Sequence, residues 1–324
     1  MIVNLLDIVN QRLVEKAVAE IESRERDYTH FHPSEWDGCK RKIAYAYYEA
    51  KDYITIDRSA LKLDPQGQRI FDNGHSMHAR WRKYLGWTNA LIGRWMCKNW
   101  MAHPDKPKIY GVDEKLGVPR PQKCDCGSTR FEYIELGFLD METMWGGHVD
   151  AIIDNEVAAK QSGYENLACD PDERFVVVDF KTINDFDYGK KLENPKPEHI
   201  TQMQIYLYLS GLKYGKFLYE NKNNQAVKEF LVTRDDKLLE VKKAEALALK
   251  VQVMSCNSRG QRTLPKRGFD SKTHYQCMRC KFRGDCWNGR HDKRRKETRQ
   301  LPQAIADPPV GLPTVGSGIG ELDV

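Results

Sequence analysis

Apolar positions along the chain follow two spacings. Near the N-terminus they recur at Leu5, Ile8, Val9, Leu13, Ala17, Val18 and Ile21, the period of an amphipathic helix. Residues 31–39 read as a loop in which Pro33 and Ser34 form a helix start, and a helix is expected over 41–50. The stretch 70–103 reads as helical and aromatic, carrying Trp81, Trp87, Trp95 and Trp100. Strand-like runs follow at 144–154, with the pair Gly146-Gly147, and at 175–182. The second of these is the sharpest signal. Phe175-Val176-Val177-Val178 is an apolar run rich in β-branched residues, the mark of a buried strand, and it leads into Asp179, Phe180 and Lys181. Beyond it come a helix over 198–212, two strands at 216–220 and 226–232 joined by Asn221-Lys222-Asn223-Asn224, and a helix over 236–253. This succession predicts an α/β fold, a mixed central sheet flanked by helices.

Composition alters this picture in two places. The 324 residues carry 30% charged and 40% hydrophobic side chains, enough for a sizeable core. No run approaches the roughly 18 apolar residues of a membrane span. Met1 to Asp7 lacks the basic-then-apolar order of a secretory signal, so a cytosolic protein is expected. In a reducing compartment nine cysteines are not a disulfide framework, and metal binding becomes the leading reading for clustered ones. The net charge of +5 is unevenly spread: residues 259–299 hold fourteen Lys/Arg against four Asp/Glu. Such a segment suits a polyanion, nucleic acid first, or is simply a solvated basic face. The last twenty or so residues, rich in Pro and Gly, read as a disordered tail.

Asp179 and Lys181 lie two apart on a strand and so share a face. Alone, the pair is an ordinary salt bridge as readily as a reaction centre. Three other groups change its meaning: Gly74 and His78 on the preceding helix, Gly147 and Asp150 on the preceding strand, and Gln202 and Tyr206 four apart on the next helix. The order H…G-x-x-D…D-x-K…Q-x-x-x-Y resembles the RecB-like branch of the PD-(D/E)XK nuclease superfamily, over residues 30–290. The resemblance implies a restriction-endonuclease-like core and catalytic residues Asp150, Asp179, Lys181, Gln202 and Tyr206. It further implies Mg²⁺ or Mn²⁺ on His78, Asp150, Asp179 and the Phe180 carbonyl. Carboxylate oxygens suit such hard ions, and imidazole suits Mn²⁺ better than Mg²⁺. Lys181 would orient or deprotonate the attacking water, or offset phosphate charge.

The cysteines form two groups. Cys277, Cys280 and Cys286 follow C-x2-C-x5-C spacing, and Cys39 lies far upstream. Four thiolates suit tetrahedral zinc or a [4Fe–4S] cluster. The layout resembles that of AddB-type nucleases and CRISPR-associated RecB-like exonucleases, which implies [4Fe–4S] stapling the chain ends, with zinc the alternative. Arg279, Lys281, Arg283 and Trp287 are interleaved with the triplet and would serve a DNA backbone. Cys97, His103, Cys124 and Cys126, in a proline-rich stretch, form a candidate zinc group or are ordinary cysteines. Cys169 and Cys256 have no evident partners, and His75 and His148 are taken as neighbours of the site.

The expected organisation is an N-terminal helical part (1–95), an insertion of β-ribbon or irregular structure (96–143), a nuclease core (144–256), a basic cysteine-rich Fe–S segment (257–292) and a tail (293–324). The resemblance implies a metal-dependent DNA exonuclease acting at DNA ends or on single strands, in recombination, repair or phage DNA metabolism. Its compartment would be a bacterial cytoplasm, or the host's for a phage enzyme. The alternatives are a non-catalytic DNA-binding or assembly module of the same fold, and an endonuclease or RNA-directed enzyme. No G-x-x-x-x-G-K-[ST] loop occurs, so any helicase would be a separate partner.

Overall fold

A computed structural model of the chain describes residues 5–23, 27–54, 65–161, 170–255 and 262–288. The chain divides into two compact units, Met1–Arg283 and Gly284–Val324. Of the second, only residues 284–288 are described, all within helix α9 (Arg283–Asn288). Cys169, Cys256 and the Pro/Gly-rich tail fall outside the described residues.

In chain order the first unit holds α1 (Leu5–Ser23), α2 (Lys40–Ala50), α3 (Pro65–Trp87), β1 (Leu91–Cys97), β2 (Ile109–Tyr110), β3 (Val118–Pro119), β4 (Phe131–Ile134), β5 (Leu136–Asp140), β6 (Trp145–Val149), β7 (Ala151–Asp154), α4 (Asn155–Gln161), β8 (Phe175–Ile183), α5 (Asp185–Lys190), α6 (Pro197–Ser210), β9 (Tyr214–Asn221), β10 (Val227–Thr233), α7 (Asp236–Met254) and α8 (Tyr275–Met278). Its mixed sheet has the order β10–β9–β8–β7–β1–β2, with β3 and β4 also pairing with β1. Its central strand is β8 (Phe175–Ile183), the strand anticipated from the apolar run. It pairs antiparallel with β7 (Ala151–Asp154) and parallel with β9 (Tyr214–Asn221), whose other edge takes β10 (Val227–Thr233) in antiparallel register. The parallel step requires a crossover, and helix α6 (Pro197–Ser210) supplies it. Proline at its first position costs no hydrogen bond, and Gly211 ends it at φ 79°, a conformation open to glycine. Helix α7 (Asp236–Met254) starts on Asp235, whose carboxylate accepts from the Leu238 N–H at 3.0 Å, a cap worth about 1 kcal/mol.

Alternation along β8 separates two cores. Val177 and Ile183 face one side, with Ile152, Met203, Phe217, Trp36 and Trp145, where α6, α7 and α2 (Lys40–Ala50) pack. Trp36 and Trp145 meet edge to face at 5.5 Å, a contact adding roughly 0.5–1.5 kcal/mol to their burial. Val176, Val178 and Phe180 face the other side, against Met77, Leu91 and Trp95, with Trp81 and Leu85 packed on them. That second layer is helix α3 (Pro65–Trp87).

Two sequence expectations change. The helical stretch over 70–103 ends at Trp87: Asn89 takes φ 53°, and β1 (Leu91–Cys97) enters the sheet. Leu91, Ile92, Trp95 and Cys97 are all buried, because a central strand is covered on both faces, which hides the two-residue period. The single strand expected over 144–154 is two, β6 (Trp145–Val149) and β7, parted at Asp150. Strand β6 leaves the main sheet to pair with β5 (Leu136–Asp140) in a separate ribbon. In the proline-rich stretch, β2 (Ile109–Tyr110), β3 (Val118–Pro119) and β4 (Phe131–Ile134) all join β1.

Candidate active site and metal centre

The candidate active site lies where β7 starts and β6 has turned away. Antiparallel pairing ends at Ala151 opposite Val178, so the next stretch of β8 has no strand on that edge. There the Phe180 N–H, released from the ladder, donates to Asp150 Oδ2 at 2.8 Å. In a strand the N–H and C=O of one residue point to the same side, so the Phe180 carbonyl also faces this open edge. The side chain of Phe180 points the other way, meeting the ring of His78 at 5.5 Å and stacking on Trp81 at 6.2 Å. Those contacts seat α3, and His78 Nδ1 reaches Asp150 Oδ1 at 3.1 Å.

On the opposite face of β8, Lys181 Nζ sits 2.6 Å from Asp179 Oδ1 and donates to Gln202 Oε1 at 3.0 Å. Gln202 Nε2 in turn lies 3.5 Å from the Tyr206 hydroxyl, one helical turn on. Gly147 makes room for that tyrosine: a Cβ there would lie 3.4 Å from Tyr206 Cε1 and 3.1 Å from Pro33. Of the eight residues, Gly74, His78, Gly147, Asp179, Lys181, Gln202 and Tyr206 fall on four elements, α3, β6, β8 and α6, and Asp150 stands at the break between β6 and β7. Seven of them converge; Gly74 has open space around it.

Charge makes this a costly arrangement. Asp179 is buried, and despite the close ammonium its Oδ1 has no partner in hydrogen-bonding geometry. Burial, with the negative charge of Asp150 added, lifts its pKa to about 6 against the pull of Lys181. Burial would also raise Asp150, but the hydrogen bond and charge of His78, the charge of Lys181 and the Phe180 N–H outweigh it and its pKa is lowered. His78 shifts up: burial opposes its charge, yet the hydrogen bond it donates to Asp150 and the charges of the two carboxylates win.

The Asp179 shift has a measurable consequence. A folded pKa of about 6, above the ordinary 3.8, means the native state holds the extra proton across about pH 4–6. Stability from this group therefore falls as pH rises through that window. In metal-free protein, Asp179→Asn is expected to raise Tm at pH 7 and to lose that advantage near pH 4. A Tm difference independent of pH would contradict the shift.

Residues unmarked by the motif also converge here. His199 lies one turn before Gln202; its Nδ1 is 2.6 Å from the Tyr219 hydroxyl, and Tyr219 stands opposite Lys181 in the β8–β9 register. Burial, with Lys181 and Lys196 nearby, lowers His199 to about 3, so it is neutral. Its spacing to Gln202 and Tyr206 was the available signal. Arg82, one turn after His78, pairs with Glu135. His75 and His148 are exposed.

A second group is separate from these. The ligand atoms of Cys97, His103, Cys124 and Cys126 all lie within 4.8 Å of one another and could hold a metal ion. Cys97 and Cys126 sulfurs are 3.7 Å apart, and Cys124 Sγ is 3.4 Å from His103 Nε2. The tight C-x-C spacing works because Gly127 takes φ 84° and donates its N–H to the Cys124 carbonyl at 2.8 Å. Burial opposes the Cys124 thiolate, but the Tyr110 hydroxyl, the Cys126 N–H and His103 bring its pKa down to about 6, the form a metal needs. It is the one such single-ion group among the described residues, so His78, Asp150 and Asp179 do not stand at that spacing.

Cys39 opens α2, and Cys277 and Cys280 flank the end of α8 (Tyr275–Met278), all three half-buried. Within the first unit α2 is tied to the distant 262–282 segment. Arg41 donates to the Pro265 carbonyl at 2.9 Å, the Tyr48 hydroxyl to the Thr263 carbonyl at 2.8 Å, and Tyr45 stacks on Phe282. Lys281, expected on a DNA face, pairs with Glu49 at 2.9 Å. Arg279 and Arg283 are exposed; Cys286 and Trp287 belong to the second unit, in α9.

No family model matches the chain, and no curated protein matches its sequence. Among solved structures, an alkaline exonuclease from Laribacter hongkongensis is similar at 19% identity and a TM-score of 0.28, over 37% of this chain and 56% of that one. The same enzyme in complex with dAMP gives 21% and 0.27, over 37% and 55%. The chain thus spans just over half the length of that enzyme. A structure described as SSO0001 is similar at 16% identity and a TM-score of 0.38, covering 86% of this chain and 95% of that one. No described helix is long and apolar enough to cross a membrane.

Proposed function

We propose that the chain is a metal-dependent DNA exonuclease of the RecB-like PD-(D/E)XK type, acting at DNA ends or on single strands. The observation that carries this reading is the line from His78 through Asp150, Phe180, Asp179 and Lys181 to Gln202, gathered where the sheet edge opens. The donor set fits a divalent ion. Two carboxylates, one with an oxygen lacking a hydrogen-bond partner, lie beside an edge-facing carbonyl and an imidazole. His78, Asp150, Asp179 and the Phe180 carbonyl would hold Mg²⁺ or Mn²⁺, which when bound offsets the charge that builds on the phosphate oxygens. Gln202 accepts a hydrogen bond from Lys181 and aims the ammonium, whose remaining N–H groups would serve Asp179 and the entering water or phosphate oxygen. Tyr206 holds Gln202, and buried neutral His199 adds no charge to compete with Lys181.

The cysteine spacing supports a [4Fe–4S] cluster on Cys39, Cys277, Cys280 and Cys286, with zinc as the alternative at the same thiols. The ties between α2 and residues 262–282 support a role in joining distant parts of the chain. For Cys97, His103, Cys124 and Cys126 the separations favour zinc: a tetrahedron with Zn–S of about 2.3 Å has S···S edges of about 3.8 Å, close to the 3.7 Å found. Arg279 and Arg283 supply charge for a DNA backbone.

One anaerobic preparation tests the whole reading. It should bind iron with absorbance at roughly 400 nm, carry zinc, and degrade end-labelled linear DNA with Mn²⁺ or Mg²⁺ while sparing circles. Cutting of circles would favour the endonuclease; DNA binding without cleavage under any metal would favour the assembly module.

A further inference from the structure

The four tryptophans of the 70–103 stretch have different fates. Trp95 is buried and Trp81 packs on Phe180, but Trp100 is 76% exposed and its neighbour Met101 87%. Both sit in a single turn, Trp100–Ala102, between two ligands of the metal group, Cys97 and His103. The base of this turn is anchored. The Asn99 N–H lies 3.5 Å from Cys97 Sγ, its side-chain amide 3.7 Å from Cys126 Sγ, and the Lys98 N–H donates to the Arg130 carbonyl at 3.0 Å. A large apolar side chain held out on a stapled support is partly pre-organised for a ligand, since the backbone that carries it is already ordered.

Strand register fixes where this tip stands. Leu91 pairs with Ile153 and Ile92 with Ile152. Continuing that antiparallel register sets Arg94 level with Asp150, so Cys97 lies about 10 Å beyond it at 3.3 Å per residue. The tip therefore projects from the end of the sheet that holds the active-site carboxylates. Around its base Lys98 pairs with Glu132 and Lys108 with Asp125, leaving Lys106, Lys123 and Arg130, all exposed, against Asp105. One aromatic face among surplus cations is the combination that binds single-stranded nucleic acid: stacking on the base, charge on the backbone. Two exposed apolar side chains are too small an area for a stable protein interface.

We propose that the Cys97–His103 turn is a metal-stapled tip that guides the substrate strand, with Trp100 stacking on an unpaired base next to the active site. The proposal rests on the nuclease reading for its substrate. The test is fluorescence anisotropy of a labelled oligothymidylate of about 20 nucleotides, with the full zinc-loaded chain in buffer free of Mg²⁺ and Mn²⁺. Trp100→Ala should weaken binding about ten-fold, Trp100→Phe should restore most of it, and blunt duplex should be affected less. Binding by Trp100→Ala within about two-fold of the parent overturns the proposal. So does a change in oligomeric state with unchanged DNA affinity, which would assign the tip to a second copy. Cleavage by Asp179→Ala tells the two readings apart. Full activity in that variant removes the nuclease reading and leaves the anisotropy result to judge the tip, whereas an inactive Asp179→Ala beside an unaffected Trp100→Ala removes the tip alone.

Discussion

Replacing Asp179 by alanine is expected to lower DNA cleavage by about 10³-fold while single-strand binding and the fold persist. The carboxylate is buried at the end of the central strand, beside Asp150 and against Lys181. Keeping a charge there works against stability, as its raised pKa of about 6 states. Its removal therefore relieves the fold and harms only the chemistry, the signature of a group retained for function. Gln202 still holds Lys181 in the variant, so lost activity would report the missing carboxylate. Single-turnover digestion of end-labelled DNA with saturating Mn²⁺, beside a thermal melt, decides the matter. Undiminished cutting would falsify the assignment.

The second large effect is expected at the cysteine knuckle. Cys124→Ser should lose one zinc per chain and about 3 kcal/mol of stability, which lowers Tm by about 4–5 °C. The group closes a stretch whose β2, β3 and β4 are short and all lean on one strand, β1. Without the metal, the Cys97 and Cys126 sulfurs, 3.7 Å apart, and that of Cys124 have no shared cation. Zinc analysis and calorimetry of the variant, with chelated parent protein alongside, provide the check; the two should melt together. A variant that retains both its zinc and its Tm rules out the group as a structural site.

Much of the architecture is legible in the sequence. The β8 run, the α6 and α7 helices and the β9–β10 pair are each bounded by strong local signals, such as Pro197 and Gly211 around α6. The misread segment, 88–103, carries no such signal: β1 is buried on both faces, and Trp95 and Trp100 fit a helix or a strand equally well. The break at Asp150 was equally hidden. Nothing between Val149 and Ala151 announces that one strand pairs with β5 and the next with β8. The ion pair of Lys281 with Glu49, 232 residues apart, belongs to the same class.

By itself the sequence determined which side chains could share a face: Asp179 with Lys181 on a strand, and Gln202 with Tyr206 on a helix. Periodicity of the backbone guarantees these pairings whatever the rest of the chain does. Only the tertiary structure decided that His78 meets Asp150, that β7 stops short and frees the Phe180 peptide, and that Trp100 stands outside while Trp95 is enclosed. Those outcomes depend on which surfaces cover one another across long sequence separations. Local pattern carries no information on that, because burial belongs to the packed molecule rather than to any segment.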